Sequence, residues 1–300
     1  MATISVTHFT DPGCPFAFSA EPRLLALHWR YGDQLVWDTH MIVLSESPQE
    51  YLDKGFTPEL LQRGHRQLRA AWGMPIDDTL RPRMHATAPA CRAFVAARQY
   101  APERADRLLR RLRVLNMGGG VLDDPALIEQ AAVEAGIDVA DLDAWVRDPD
   151  VSIELRADMA AARDPHPAAL AQPDRLASTK DGGHRYTAPS LIFRAADGTT
   201  AAAPGFQPGE TYEAVLANLD PTLEQRDPPA DVTEVLEWAP WPLASIEVAS
   251  LLDISTDEAR TALAAVASET PVGQDGYWAT SPGGSVASAG SRAEPSNTAA

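Results

Sequence analysis

Two strand-like stretches fall within the first 44 residues with one helical run between them, and strand character does not return until residue 190. "ISVTHF" (4–9) is rich in β-branched and aromatic side chains and stops at the turn cluster "TDPG"; "QLVWDTHMIVL" (34–44) has the same character. Between them, "FAFSAEPRLLALHWRYG" places apolar residues at Phe18, Leu24, Leu25, Leu27 and Trp29 and ends at Gly32, a residue suited to a C-cap. Pro22 tells against one unbroken helix, because proline is tolerated only in a first turn. Strand, helix, strand over so short a span closes most simply as a right-handed βαβ unit with a parallel pair.

The chain then turns helical for roughly residues 50 to 175. "TPELLQRGHRQLRAAWG", "TAPACRAFVAARQY", "PERADRLLRRLRVLNM", "DPALIEQAAVEAG" and "DVADLDAWVRDPDVSIELRADMAAARD" repeat apolar residues every three or four positions, and several open on Ser, Thr, Asp or Pro. A polar stretch (164–186) leads to the strand "SLIFRA" (190–195), a turn at "ADG", a second strand through "TTAAAPGF" and the short helix "GETYEAVLANLD". The sequence therefore predicts one α/β domain over 1–48 and 176–220, interrupted by a helical insertion over 49–175. "PTLEQRDPPAD" (221–231) has the proline and charge content of a linker. Beyond it, residues 231–280 predict a helix, a helix-turn-helix around "LLDIST" and two short strands about "GQDG", a small winged-helix-like module. Residues 281–300 are small and polar and are expected to be disordered.

A formal net charge of -17 disfavours nucleic acid and anionic membrane surfaces, where each phosphate contact needs a Lys or Arg. Within 231–280 the only base is Arg260 against nine acids, so the module repels phosphate; packing on the main domain or homodimer formation is the expected use. The N-terminus lacks a basic segment followed by an apolar one, and no run approaches the ~20 apolar residues of a membrane span. A cytoplasmic location is expected. The two cysteines, Cys14 and Cys91, exclude a disulfide framework and a cysteine-rich zinc site, and the scattered histidines suggest no metal.

Chemistry centres on "DPGCPFAF". A cysteine at a helix start, after a strand, gains thiolate stability from unpaired N–H groups and the positive end of the helix dipole. Pro15 costs no hydrogen bond in the first turn, and Phe16 shields one side of the sulfur. The opposing reading is a buried, inert cysteine, since free cysteine is among the most buried residue types. Far downstream, "YTAPSLIF" sets Pro189 immediately before a strand, where a cis X-Pro bond would make a tight turn.

Strand, Cys-Pro-aromatic helix start, strand, helical insertion, then a proline before a hairpin and final helix resembles the DsbA/FrnE-like branch of the thioredoxin superfamily. The resemblance covers about residues 3 to 220; "DPGCPFAF" and "TAPSLIF" are its specific parts, and "NMGGGVLDDPALIEQAAVEAGID" is similar to a segment of the family's insertion. It implies an α/β, thioredoxin-like fold with an all-helical insertion, a nucleophilic Cys14, and Pro189 as a cis-proline beside that sulfur. Pro15, Phe16, Ala188 and Pro189 would then line the substrate groove. Ala17 falls on the family's resolving cysteine, so release of a mixed disulfide by internal attack is lost. The segment also resembles "D..SP..." of kappa-class glutathione transferases and hydroxychromene-carboxylate isomerases, whose serine orients a glutathione sulfur.

Three functions follow from the resemblance. Cys14 attacks a disulfide-containing peptide or small molecule, and a small external thiol of the glutathione or mycothiol type resolves the adduct. Alternatively, the chain binds such a thiol as cosubstrate of a transferase or isomerase, or it is a non-catalytic binding scaffold with an occluded, high-pKa Cys14. No tightly bound cofactor is implied. Cys91, among Ala90, Ala93, Phe94 and Val95, reads as a buried structural cysteine, and His8 as packed rather than catalytic. The basic run "RADRLLRRLR" (104–113) reads as a charged helix face paired with acids, with an anion-binding wall as the alternative.

Overall fold

The computed structural model describes residues 3–179 and 182–280. Strand β1 (Ile4–Thr10) leads through the "DPGC" turn into helices α1 (Pro15–Ser19) and α2 (Glu21–Tyr31), and β2 (Leu35–Met41) returns beside β1. The helical run is broken at the point to which Pro22 draws attention: Pro22 occupies the first turn of α2, where its missing N–H costs nothing, and Ala20 joins the two pieces. The expected helical region begins with α3 (Pro48–Asp53) and continues through α4 (Pro58–Trp72), α5 (Ala88–Tyr100), α6 (Pro102–Met117), α7 (Pro125–Ala135), α8 (Val139–Trp145), α9 (Pro149–Ala161) and α10 (Pro167–Leu170). The long "DVADLDAW…" segment divides into α8 and α9 because Asp148 accepts the Asp150 N–H and Pro149 restarts the helix.

The stretch 164–186, read as polar loop, in fact holds α10 and the hairpin β3 (Leu176–Ser178) with β4 (His184–Tyr186). Strands of three residues are too short to show alternation in sequence. The chain then forms β5 (Ser190–Arg194), β6 (Thr200–Ala203) and α11 (Gly209–Leu219). The main sheet has the order β2-β1-β5-β6, with β1–β2 parallel and the other pairs antiparallel. Ile4 and Val6 of β1 pack with Leu191 and Phe193 of β5 against Leu24, Leu27, Tyr212 and Leu216. A second core lies within the helical region, where Phe94, Leu108 and Leu112 pack with Ala131 and Leu155.

After α11, residues 221–231 form no helix or strand but are fixed to α2. The Arg226 N–H donates to the Arg30 carbonyl (2.8 Å), the Trp29 indole donates to the Asp227 carbonyl (2.9 Å), and the Arg226 guanidinium lies 3.6 Å from the Trp29 ring centre. The C-terminal elements are α12 (Val232–Trp238), β7 (Leu243–Ala244), α13 (Ser245–Leu252), α14 (Thr256–Val266), β8 (Ala267–Val272) and β9 (Asp275–Thr280), with the antiparallel sheet order β7-β9-β8. This module packs on the main body: Leu25 and Trp29 of α2 share one buried cluster with Val235, Leu236, Val248 and Leu251. The expected tail, 281–300, lies outside the described residues.

The basic run of α6 departs from a solvated face. Arg110 and Arg113 are buried; Arg110 bonds Glu247 of α13 at 2.6 and 2.8 Å and Glu21 of α2 at 3.0 Å, while Arg113 bonds Glu21 and Thr10. The expected pairing with acids is therefore internal. It joins α6, α2 and the C-terminal module.

Candidate active site around Cys14

Asp11 builds the turn that carries Cys14. Its carboxylate accepts the Gly13 N–H (2.7 Å), the Leu44 N–H (2.8 Å), the Thr87 hydroxyl (2.8 Å) and the Cys91 thiol (3.4 Å), so one buried side chain ties the end of β1 to the end of β2 and the start of α5. Burial raises the Asp11 pKa against these hydrogen bonds, which lower it. Space also dictates Gly13: a Cβ there would lie 2.6 Å from Thr87 Cγ2 and 3.1 Å from Leu122 Cδ1.

Cys14 is the N-cap residue of α1, with Pro15 in the first turn. Its thiol donates to the Ala188 carbonyl at 3.2 Å, and the Ala188–Pro189 peptide bond is cis. Two segments 174 residues apart thus meet at the sulfur. The side chain is 6% exposed, in an apolar cluster with Phe9, Ala17, Ile42, Tyr186 and Ala188. Ala17 is wholly buried, so no side chain stands at the resolving position except a methyl group.

The electrostatics differ from the expectation of a stabilised thiolate. Burial pushes the Cys14 thiol up to about 11; the backbone N–H groups of Ala17 and Phe16 pull it down, and nearby Asp11 pushes it further up. The helix-start effect is present but outweighed, because α1 is a five-residue turn in an apolar setting rather than the head of a long helix. Cys91, fully buried, is pushed well above the ordinary thiol range by the same desolvation and by Asp11. His8 is buried and its imidazole is driven neutral by desolvation, which fits a packed residue.

Sequence reasoning missed several neighbours. Tyr51 of α3 and Arg185 of β4 both interact electrostatically with Cys14 and Asp11; burial raises the Tyr51 phenol, and burial lowers the Arg185 guanidinium. Neither lies near Cys14 in sequence, and nothing local marks them. Asp11 did carry a signal: an Asp two residues before a Gly at a strand end is the pattern of a side chain that bonds its own turn. Phe16 is 46% exposed, and its ring meets Phe206 edge-on at 5.9 Å, leaving an aromatic lip beside the buried sulfur.

A parallel β1–β2 pair, an antiparallel β5–β6 hairpin, a cysteine at the first helix start and a proline facing it from the edge of β5 define the thioredoxin-like class. The family model for the DSBA-like thioredoxin domain matches residues 5–165, and the chain belongs to that family. Among solved structures, it is similar to a probable DsbA oxidoreductase from Streptomyces coelicolor, with a TM-score of 0.53 and 18% identity over 76% of this chain and 94% of that one. It is also similar to the cytosolic disulfide reductase DsbM from Pseudomonas aeruginosa, with a TM-score of 0.51 and 17% identity over 72% of this chain and all (100%) of that one. At these identities the likeness speaks to the fold.

A curated relative, erythronate-4-phosphate dehydrogenase of Cellvibrio japonicus, is 30% identical over 160 residues, which is 52% of this chain; the chain spans only 36% of that protein's length. A dinucleotide-binding domain needs a mostly parallel sheet, and the main sheet here holds one parallel pair, so the fold follows the thioredoxin relatives. Among the described residues no helix is long and apolar enough to cross a membrane.

Proposed function

We propose that the protein is a thiol-disulfide oxidoreductase with Cys14 as its sole nucleophile and a small external thiol, of the glutathione or mycothiol type, as its resolving partner. The observation that supports this is the seat of the sulfur, at a helix start and 3.2 Å from the carbonyl of the residue before Pro189. The resting thiol is held in its neutral form. With a pKa of about 11, about one Cys14 in ten thousand is thiolate at pH 7, so activation must come with the substrate. An extended disulfide-bearing peptide laid along residues 187–189 offers an N–H to the Ala188 carbonyl and frees the thiol from that bond. Pro15 and Phe16 border the same approach.

The Cys14 proton passes to solvent, and the thiolate attacks one substrate sulfur. The Cys14–substrate bond forms as the substrate disulfide breaks, and the other half leaves as thiolate. With Ala17 in place of a second cysteine, an external thiolate attacks the mixed disulfide, restores Cys14 and leaves with the substrate sulfur in a new disulfide. The relative from Pseudomonas aeruginosa is described as a cytosolic disulfide reductase, and a reducing compartment such as the cytoplasm suits two free thiols.

The burial of Cys14 specifically favours a second reading, a thioredoxin-like binding scaffold without catalysis. One experiment separates them. The Cys91→Ala protein is treated in its native state with an aromatic disulfide from pH 7 to 11, followed by glutathione. Oxidoreductase action gives a mixed disulfide at Cys14 whose rate climbs about tenfold per pH unit and which glutathione releases. If Cys14 forms no adduct until the protein unfolds, the scaffold reading stands and the oxidoreductase reading fails.

A further inference from the structure

A pocket of the protein lies apart from Cys14, which is not among its lining residues. It holds about 740 Å³ and lies between α2 and α11, closed on one side by Trp72 at the end of α4 and on another by Ser250 of α13. Its floor is apolar, formed by Ala26 and Leu27. Arg23 dominates one wall. The guanidinium lies 4.5 Å from the Trp72 ring centre and 4.2 Å from the Phe206 ring centre, and with those centres only 4.8 Å apart both rings cover it from one side.

A guanidinium held against aromatic rings on one side keeps its edges for hydrogen bonding, and the fork of two parallel N–H groups along an edge is the geometry that grips a carboxylate. Among the described residues, Arg23 Nη1 is shielded from solvent without a hydrogen-bond partner, and the side chain makes no ion pair within bonding distance. The other charges at the cavity are largely spent. Arg30 bonds Glu213 at 2.8 Å, Glu213 also takes the Tyr31 hydroxyl, and Arg175 donates to the Phe206 carbonyl at 3.1 Å. Glu210 acts on Arg23 only through space. Residues Pro208 and Gly209 at the rim open α11 with no side chain capping its first turn, and the space above Gly209 is empty. An unpaired cation and the uncapped start of α11 therefore border one pocket with apolar lining.

We propose that this cavity binds a small molecule carrying a carboxylate on an apolar, ring-sized body, with Arg23 as the anchor and Trp72 and Phe206 as the rings that support it from one side. Because Cys14 is not among its walls, binding here is separate from thiol exchange. Phe206 nevertheless meets Phe16 on its far side, so an occupant that displaces Phe206 is felt at the lip of the Cys14 site.

Calorimetric titration of the full-length protein with benzoate, and with benzamide as its uncharged counterpart, tests the site. Saturable benzoate binding is expected, with benzamide about tenfold weaker or more. Arg23→Gln should weaken benzoate about tenfold, Arg23→Lys should restore only part of it, and Cys14→Ala should leave it unchanged. Two results overturn the proposal. One is no saturable binding of benzoate to the wild-type protein; the other is benzoate and benzamide binding alike, whether or not the Arg23 variants fold.

Discussion

Two buried polar centres flank the C-terminal end of β1, and they handle burial in opposite ways. Among the described residues no cation lies within hydrogen-bond reach of Asp11, Cys14 or Cys91; the thiols are forced toward their neutral forms and the acid is pushed upward. A few residues away, Glu21, Arg110, Arg113 and Glu247 are also buried but pair with one another, and although burial alone would discharge Arg110, the two carboxylates hold it charged. Desolvation therefore does not decide the charge of Arg110, whose counter-ions do, although the same burial still raises the Glu247 carboxyl. The paired centre fixes the architecture. The unpaired one is left with a proton it can lose.

The comparison breaks most visibly at Arg110. Arg110→Ala strands Glu247 in the interior, while Glu21 keeps Arg113, and should cost about 3–5 kcal/mol in urea unfolding, whereas Arg110→Met together with Glu247→Leu should recover most of that loss. If the single variant costs no more than a surface substitution, the network is not the dry, paired cluster described. Next in size is Asp11→Ala, which removes the acceptor shared by Gly13, Leu44, Thr87 and Cys91 and should cost about 1–3 kcal/mol, with faster alkylation of both thiols as the turn loosens.

The titration of Cys14 sharpens the contrast. A thiol whose folded pKa is raised favours the folded state only in its protonated form, so stability should fall as pH rises from the unfolded value near 9 to about 11. Cys14→Ala in the Cys91→Ala background should flatten that decline, as seen in thermal melts. The smallest effect is expected at His40. Partial burial works against its charge, but Asp158 at 3.0 Å and Asp38 at 2.8 Å hold the ring protonated up to about 9. A raised histidine stabilises the fold fully below about 6.5 and progressively less as pH climbs through 9, and His40→Gln should remove that slope.

The sequence made the site's skeleton legible because its signals are local: a turn cluster before Cys14, a proline before β5, strand chemistry on either side. Its chemistry was not legible. The apolar shell that neutralises Cys14 comes from Ala162, Ala169, Leu176 and Tyr186, which converge on the sulfur only through the fold. Thr87 and Cys91 reach Asp11 across 76 and 80 residues, a closure no spacing rule reports. Arg110 and Arg113 were legible only in part: arginines every three residues call for acids nearby, but only the fold shows that these are Glu247 of α13 and Glu21 of α2 and that the pairs are buried. The ring contacts of Arg23 likewise join α2, α4 and the approach to α11.

The passage from α11 to α12 was read as a linker, yet its backbone is bonded to Trp29 and Arg30 along α2 and the module beyond it shares a core with that helix. Connectivity and cohesion are therefore separate properties here. A protease that nicks the chain within 221–231 severs the peptide but leaves the interface intact, and the two fragments should elute together until denaturant is added. The C-terminal module is then less an appendage on a tether than a second half of the surface that α2 needs in order to stay dry.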